Sequence, residues 1–342
     1  MYHSRFKGSY LEAGYHFGSL LLKKKKKISQ QETFVVNDEK RAFVKECIPI
    51  YEKFYPEILE EIRGLAKGQE MPYDDLCTFL LSMYCFELKN HCTCFAFSHK
   101  DHIFFGRNSD FLVQLENLYM NCLYQLHGAY AFCGNTTAFI EMEDGVNEHG
   151  LAIGLTFVMT GMRQPGFHAG MLVRYLLEKC QTTKEVIHQI KRLPIASSQV
   201  LIVVDASGCM AMIECCSQGI EIIEKRKGFV VATNQFCSPK LMKYKRNDID
   251  DWRSMERLQI ATQALKTQSL SFELAQDILS GKYGFMCQYD RSKGADTVWS
   301  VIYDIRNKEI YRVEGNPSRK QFKRDTRLKW KSNKLREEVL KR

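Results

Sequence analysis

At residue 92 the hydrophobic rhythm of the chain changes, and with it the kind of element the chain can form. Over residues 38–67 apolar residues recur at helical spacing, among them Phe43, Val44, Ile48, Ile50, Phe54, Ile58, Ile62 and Leu65, with Gly64 and Gly68 near the end. Such a stripe is the buried face of a helix. Residues 73–88 read as a second helix, apolar along one side; the first 91 residues as a whole read as a short extended opening followed by helices. From residue 92 the period becomes that of strands. Residues 92–98 and 103–108 are β-rich and joined by a polar turn at 99–101, which predicts a hairpin. Further hairpins are expected at 200–204 with 210–215, at 220–224 with 228–233, and at 297–304 with 309–314. Helices are expected at 169–180, 184–191, 252–265 and 272–279, the last with Ser271 as N-cap and Gly281 as stop. Grouped helices and runs of antiparallel strands predict an α+β domain, two sheets packed together with helices outside.

The location of the charge limits what it means. The formal net charge is +9 over 342 residues, but residues 319–342 alone carry 11 Lys or Arg against 3 Asp or Glu. The body is close to neutral, so no nucleic-acid partner is expected, and residues 319–342 read as a basic, solvated helical tail. The opening 22 residues lack the apolar core of a signal peptide, and no stretch reaches the length of a membrane span. This predicts a cytoplasmic protein whose 13 cysteines stay reduced. Cys92 and Cys94 with His91, His99 and His102 match no usual zinc-ligand spacing, so neither metal nor cofactor is expected.

The hairpin at 92–108 holds the reactive groups. With a turn centred near Lys100, Cys92 lies across from about Asn108, and Arg107 and Asp110 fall beside its sulfur. A neighbouring guanidinium favours thiolate and so lowers the thiol pKa. If the bond between His91 and Cys92 were cut, the new α-amine, with a pKa near 8, would be suited to accept the thiol proton. An Arg/Asp pair at a hairpin end also fits a purely structural ion pair.

Cys92-Thr followed by Phe104-Phe-Gly-Arg-Asn-Ser-Asp-Phe111 resembles the start of the mature chain in the choloylglycine hydrolase and penicillin acyltransferase group of N-terminal-nucleophile (Ntn) hydrolases. Gly8-Ser-Tyr-Leu-Glu-Ala-Gly14 and Tyr55-Pro-Glu-Ile-Leu-Glu-Glu-Ile-Arg-Gly64-Leu-Ala-Lys-Gly68 are similar to the propeptide of the penicillin acyltransferase type, peptidase family C45. Gly145-Val-Asn-Glu-His-Gly-Leu-Ala-Ile-Gly-Leu155, Val231-Ala-Thr-Asn234-Gln-Phe236, Ser254-Met-Glu-Arg257 and Gly315-Asn-Pro317 follow in the family's order. The resemblance implies a four-layer αββα sandwich with residues 1–91 as propeptide, 92–318 as catalytic region and 319–342 as tail. It implies autocatalytic cleavage before Cys92 and two subunits held as a heterodimer. Linear, non-peptide amides would be attacked through an acyl-Cys92 intermediate. The oxyanion would be held by the Asn234 side chain and a backbone N–H, while Asp110 and Arg257 orient the amine and Arg107 supports them. Cys92, and not Cys94, has the family's 18-residue spacing to Asp110. Here His91 stands where the penicillin acyltransferase has glycine, and Thr156 where the bile-salt enzymes often carry asparagine. The competing reading is an uncleaved pseudoenzyme acting as a binding module.

Overall fold

The computed structural model describes residues 2–86, 91–99, 102–246 and 248–331. The upstream part forms strand β1 (Tyr2–Gly8) and helices α1 (Tyr10–Lys23), α2 (Asp38–Phe54), α3 (Pro56–Gln69) and α4 (Tyr73–Ser82). Then come β2 (His91–His99), β3 (His102–Leu112), β4 (Met120–Leu126), β5 (Phe132–Thr136), β6 (Asp144–Asn147) and β7 (Ala152–Phe157). Helices α5 (Ala169–Lys179) and α6 (Thr183–Ile190) lead to β8 (Gln199–Val204), β9 (Met210–Cys216), β10 (Gly219–Lys225) and β11 (Gly228–Ala232). Helices α7 (Ser254–Thr267) and α8 (Phe272–Leu279) precede β12 (Ala295–Asp304), β13 (Glu309–Glu314) and β14 (Lys323–Asp325).

The strands form two sheets, ordered β1-β4-β5-β6-β7-β8-β9-β10 and β11-β2-β3-β12-β13-β14. Alternation along each strand sends one set of side chains into the space between the sheets, where Cys94, Ala96, Phe105, Val146, Ile202 and Val301 pack together. The opposite face of the six-stranded sheet carries Phe95, Phe97 and Phe104 against α7 and α8. The outer face of the eight-stranded sheet is covered by the upstream helices with α5 and α6. The fold is therefore a four-layer αββα sandwich.

The predicted helix over 38–67 is broken in two. Tyr55 precedes a proline, which disfavours the helical region; it takes φ −150° and ψ 56°, and Pro56 opens α3. Gly64 and Gly68 do not stop that helix. They lie on its buried face against Gly14 and Gly18 of α1, so close that a Cβ on Gly64 would sit 2.1 Å from the Leu11 carbonyl oxygen. The same upstream segment adds β1 to the eight-stranded sheet, parallel to β4. A buried network joins it to α5: Arg174 donates to Glu61 (2.8 Å) and Glu178 (2.5 Å), and the Tyr10 and Tyr55 hydroxyls donate to Glu178 at 2.6 and 2.5 Å.

Three further expectations are corrected. The 220–224 and 228–233 strands do not pair with each other: β10 pairs with β9 at the edge of one sheet, and β11 pairs with β2 in the other. The reason is burial on both faces of β11, with Val230 and Ala232 in the inter-sheet core and Val231 against the helices. Residues 319–331 do not form a solvated helix. They include β14, and Leu328 packs into the inter-sheet core. The helix predicted over 73–88 ends at Ser82, and residues 83–86 form a turn; residues 87–90 and 332–342 lie outside the described residues. The other predicted helices, and the hairpins at 200–215 and 297–314, form where expected.

Candidate active site

Pairing of β2 with β3 decides which groups meet Cys92. The register is one residue beyond the predicted one: Cys92 opposes Ser109, Cys94 opposes Arg107, and His91 opposes Asp110. Directly opposed residues project to the same face. Cys92, Cys94, Arg107 and Ser109 thus share the inter-sheet face, while Thr93 and Asp110 share the face toward α7. The expectation that Arg107 and Asp110 flank the sulfur together is corrected accordingly. Arg107 is at the sulfur and Asp110 is on the other side of the strand.

On the inter-sheet face, Arg107 is fully buried and donates from Nη2 to Cys92 Sγ at 2.8 Å. The same nitrogen donates to Glu143 Oε2 at 3.2 Å, Nη1 donates to Asp144 Oδ2 at 2.9 Å, and Nε to the Leu155 carbonyl at 3.0 Å. Trp299, Tyr303 and Asn135 also donate to Asp144. The predicted lowering of the thiol pKa is not what the uncut chain has. Burial pushes the Cys92 thiol up to about 12, and Arg107 only partly offsets it.

On the other face, the backbone of Cys92 is gripped. Its N–H donates to Asn234 Oδ1 at 2.8 Å, and its carbonyl accepts from Arg257 Nη1 at 2.7 Å. Arg257 also donates to Thr93 Oγ1 at 2.8 Å and to Asn234 Oδ1 at 3.0 Å, and lies 3.6 Å from Asp110 Oδ2. The orientation of the Asn234 amide follows from its neighbours. Two donors face Oδ1, and Nδ2 donates to the Phe157 carbonyl at 2.9 Å. In the uncut chain Asn234 therefore acts on Cys92 as an acceptor, whereas the resemblance implied a donor to an oxyanion. Asp110 accepts from Thr297 (2.6 Å) and Tyr289 (3.0 Å), and burial raises its carboxyl to about 6.

Arg257 reaches this point because α7 starts from two consecutive left-handed residues, Trp252 (φ 51°) and Arg253 (φ 59°). Side chains rarely take this conformation, and such strain tends to collect at functional sites. The turn stacks Trp252 on His91, with ring centroids 4.3 Å apart, and its carbonyl accepts from Arg257 Nε. His91, Trp252, Arg253, Phe285 and Tyr289 wall a cavity of about 700 Å³. Burial, then Arg257, hold the His91 imidazole down at about 3, so it is neutral at physiological pH. Thr156, at the position noted for asparagine, donates to the Thr233 carbonyl at 2.7 Å and so steadies the residue preceding Asn234.

All the residues singled out from sequence, His91, Cys92, Arg107, Asp110, Asn234 and Arg257, lie in this one cluster. Sequence reasoning missed Glu143, Asp144, Trp252, Tyr289, Thr297 and Trp299. The one available signal was the adjacent acids Glu143 and Asp144 beside Gly145 in an apolar, strand-rich stretch. Among the described residues no group of three His, Cys, Asp or Glu is disposed to hold a metal ion, and no helix is long and apolar enough to cross a membrane.

Among solved structures, penicillin V acylase from Agrobacterium tumefaciens is 16% identical, covering 65% of this chain and 83% of that one with a TM-score of 0.47. A mutant of the conjugated bile acid hydrolase from Clostridium perfringens is 14% identical, covering 70% and 98% with a TM-score of 0.47. No curated protein matches the chain in sequence. The model of the acyl-coenzyme A:6-aminopenicillanic acid acyl-transferase family matches residues 97–319, beginning just downstream of Cys92. That match covers more than half of the chain, which therefore belongs to this acyl-transferase family.

Proposed function

We propose that the chain is a precursor that cuts its own bond between His91 and Cys92 and then acts on linear, non-peptide amides through an acyl-Cys92 thioester. The observation that carries this reading is the threefold hold on Cys92: its sulfur on Arg107, its N–H on Asn234 Oδ1 and its carbonyl on Arg257. Once residue 91 is released, the nitrogen that now donates to Asn234 becomes an α-amine with an ordinary pKa near 8. It takes the thiol proton at neutral pH and later returns it to the leaving amine. Asp110 and Arg257 fix that amine, Arg107 balances the thiolate, and the Asn234 amide with a backbone N–H holds the oxyanion. Departure of His91 removes one wall of the cavity of about 700 Å³ beside the bond that is cut.

In this reading residues 1–91 are the propeptide, 92–318 the catalytic region and 319–342 a basic extension. The pieces remain together as a heterodimer through the pairing of β1 with β4 and the network of Glu61, Tyr10 and Tyr55 with Arg174 and Glu178. None of the 13 cysteines is in a disulfide, which fits a reducing cytoplasm. The substrate is a small acyl amide or acyl donor, and water or an amine takes the acyl group.

Intact-mass analysis of purified protein tests the first step. Two fragments, one ending at His91 and one starting at Cys92, are expected from wild type, and one whole chain from Cys92→Ala. A whole wild-type chain that still hydrolyses amides refutes processing. A whole chain with neither activity nor a reactive Cys92 selects the binding-module reading, to which the raised thiol of the uncut chain lends its support.

A further inference from the structure

The processing step needs a proton acceptor that turnover does not. Before cleavage the nitrogen of Cys92 is an amide and carries no basic lone pair, so the base proposed for the mature enzyme does not yet exist. The thiol is fully buried, and no bulk water reaches it. The acceptor must come from the inter-sheet face, where the sulfur lies.

Two carboxylates contact Arg107 on that face. Asp144 accepts from four donors, Arg107 (2.9 Å), Asn135 (2.6 Å), Trp299 (2.9 Å) and Tyr303 (2.7 Å), and works as a fixed counter-charge. Glu143 is placed differently. Its Oε2 shares Arg107 Nη2 with the Cys92 sulfur and also accepts from Ser109 Oγ at 3.1 Å, while Oε1 accepts from Thr137 N (3.1 Å) and Oγ1 (2.8 Å). Ser109 is the residue directly across the ladder from Cys92, on the same face. Opposed side chains in an antiparallel pair have Cβ atoms about 5 Å apart.

We infer that Glu143, reached through the Ser109 hydroxyl, accepts the Cys92 thiol proton in the self-cleavage step; this rests on the processing reading above. The Sγ proton passes to Ser109 Oγ as the Ser109 proton passes to Glu143 Oε2. Sγ bonds to the His91 carbonyl carbon, and the bond from that carbon to the Cys92 nitrogen breaks. The nitrogen takes up the proton held by Glu143, leaving a thioester between residue 91 and Cys92 and a free α-amine. A water molecule entering through the cavity walled by His91 then adds to the thioester carbonyl, giving the residue 91 carboxyl group and the thiol.

Charge is conserved throughout the buried site. Arg107 exchanges one anionic partner, Glu143, for another, the thiolate, across a single guanidinium nitrogen. No new isolated charge is buried, which is the term that would otherwise forbid thiolate at this depth. A separate acceptor for each stage also means that cleavage and turnover respond to different residues.

The test is the rate at which freshly made full-length chain becomes two fragments, followed by intact mass. Glu143→Gln, close in shape to the original, is expected to slow cleavage about 10²-fold or more, the usual worth of a positioned base. Ser109→Ala is expected to slow it as well, and Ser109→Thr, which restores a hydroxyl, to recover most of the rate. A thermal melt within a few degrees of wild type shows each variant folded, and Ser109→Ala carries the test if Glu143→Gln is not. Cleavage of Glu143→Gln or Ser109→Ala at the wild-type rate overturns the assignment while leaving the processing reading intact. A wild-type chain that stays whole removes both.

Discussion

Replacing Gly64 by alanine reverses the sign usually expected of that substitution. In an exposed helix, Gly→Ala stabilises by about 1 kcal/mol through propensity. Here the new Cβ would sit 2.1 Å from the Leu11 carbonyl oxygen and 2.8 Å from the Tyr15 nitrogen, both backbone atoms of α1. Neither can rotate away. Relief to the 3.0 Å that marks the closest real approach requires α1 and α3 to part by about 1 Å. A gap of that size forfeits a quarter to a half of each contact's dispersion energy, and overpacked sites lose about 1–3 kcal/mol in sum. Set against the propensity gain of about 1 kcal/mol, this leaves a net destabilisation of up to about 2 kcal/mol, read as a fall in the urea midpoint at unchanged slope. Gly14→Ala, which meets the Glu61 carbonyl oxygen from the other helix at 2.0 Å, should behave alike. The double variant should lose less than the two singles together, because the helices have already separated. A neutral or stabilising Gly64→Ala would refute the close backbone contact.

Other consequences follow from the same structure. In the uncut chain Cys92 is buried with its thiol near 12, so iodoacetamide at pH 8 should label it at least 10²-fold more slowly than in cleaved protein, measured by peptide mass spectrometry. Arg174→Met strands Glu61 and Glu178 without their cation; a loss of about 3–5 kcal/mol is expected, and cleaved pieces should separate on size exclusion in urea that wild type tolerates. Asn234→Ala removes the amide proposed to hold the oxyanion, along with the acceptor on the Cys92 nitrogen, and should lower turnover about 10²- to 10³-fold in an amide-release assay. Asp110 keeps its proton up to about pH 6 when folded but only to about 3.8 when unfolded, so folding binds a proton between those values and stability falls as pH rises through them; Asp110→Asn should flatten that part of the stability profile.

How much was legible in the sequence depended on whether a feature was periodic or set by distant contact. Strand alternation on either side of residues 99–101 was enough to bring Cys92 and Arg107 together, because a hairpin is local. It was not enough to fix the register, and a one-residue slip exchanges the faces on which side chains meet. That slip moved Asp110 away from the sulfur and put Ser109 beside it. The glycines at 64 and 68 could be placed only near the end of a helix; the partner glycines 14 and 18, which explain them as a crossing, lie about 50 residues away in sequence. The sheet exchange between β10 and β11 was likewise invisible, since three polar residues between two strands fit a hairpin and a crossover equally well. Asn234 and Arg257 were found only through resemblance, as each reaches Cys92 from more than 140 residues away.

The division of one strand end into two faces would also account for a nucleophile placed where the helical segment gives way to strand. Alternation along β3 sends Arg107 and Ser109 to one side and Asp110 to the other, so the bond before Cys92 lies at a boundary between two environments. The inter-sheet face holds a guanidinium shared between sulfur and carboxylate, where a proton can move without a change in buried charge. The helix-side face holds acceptors and a second guanidinium on the Cys92 backbone, where a new amine would be received in hydrogen bonds already formed. Shifting Cys92 by one residue in either direction would put its sulfur on the side of Asp110 and Arg257 and remove it from Arg107. A chain with Cys92 and Thr93 exchanged should therefore fold, since both are small and buried. It should remain whole in the intact-mass assay, and cleavage of that variant at the wild-type rate would show that the two faces are chemically equivalent.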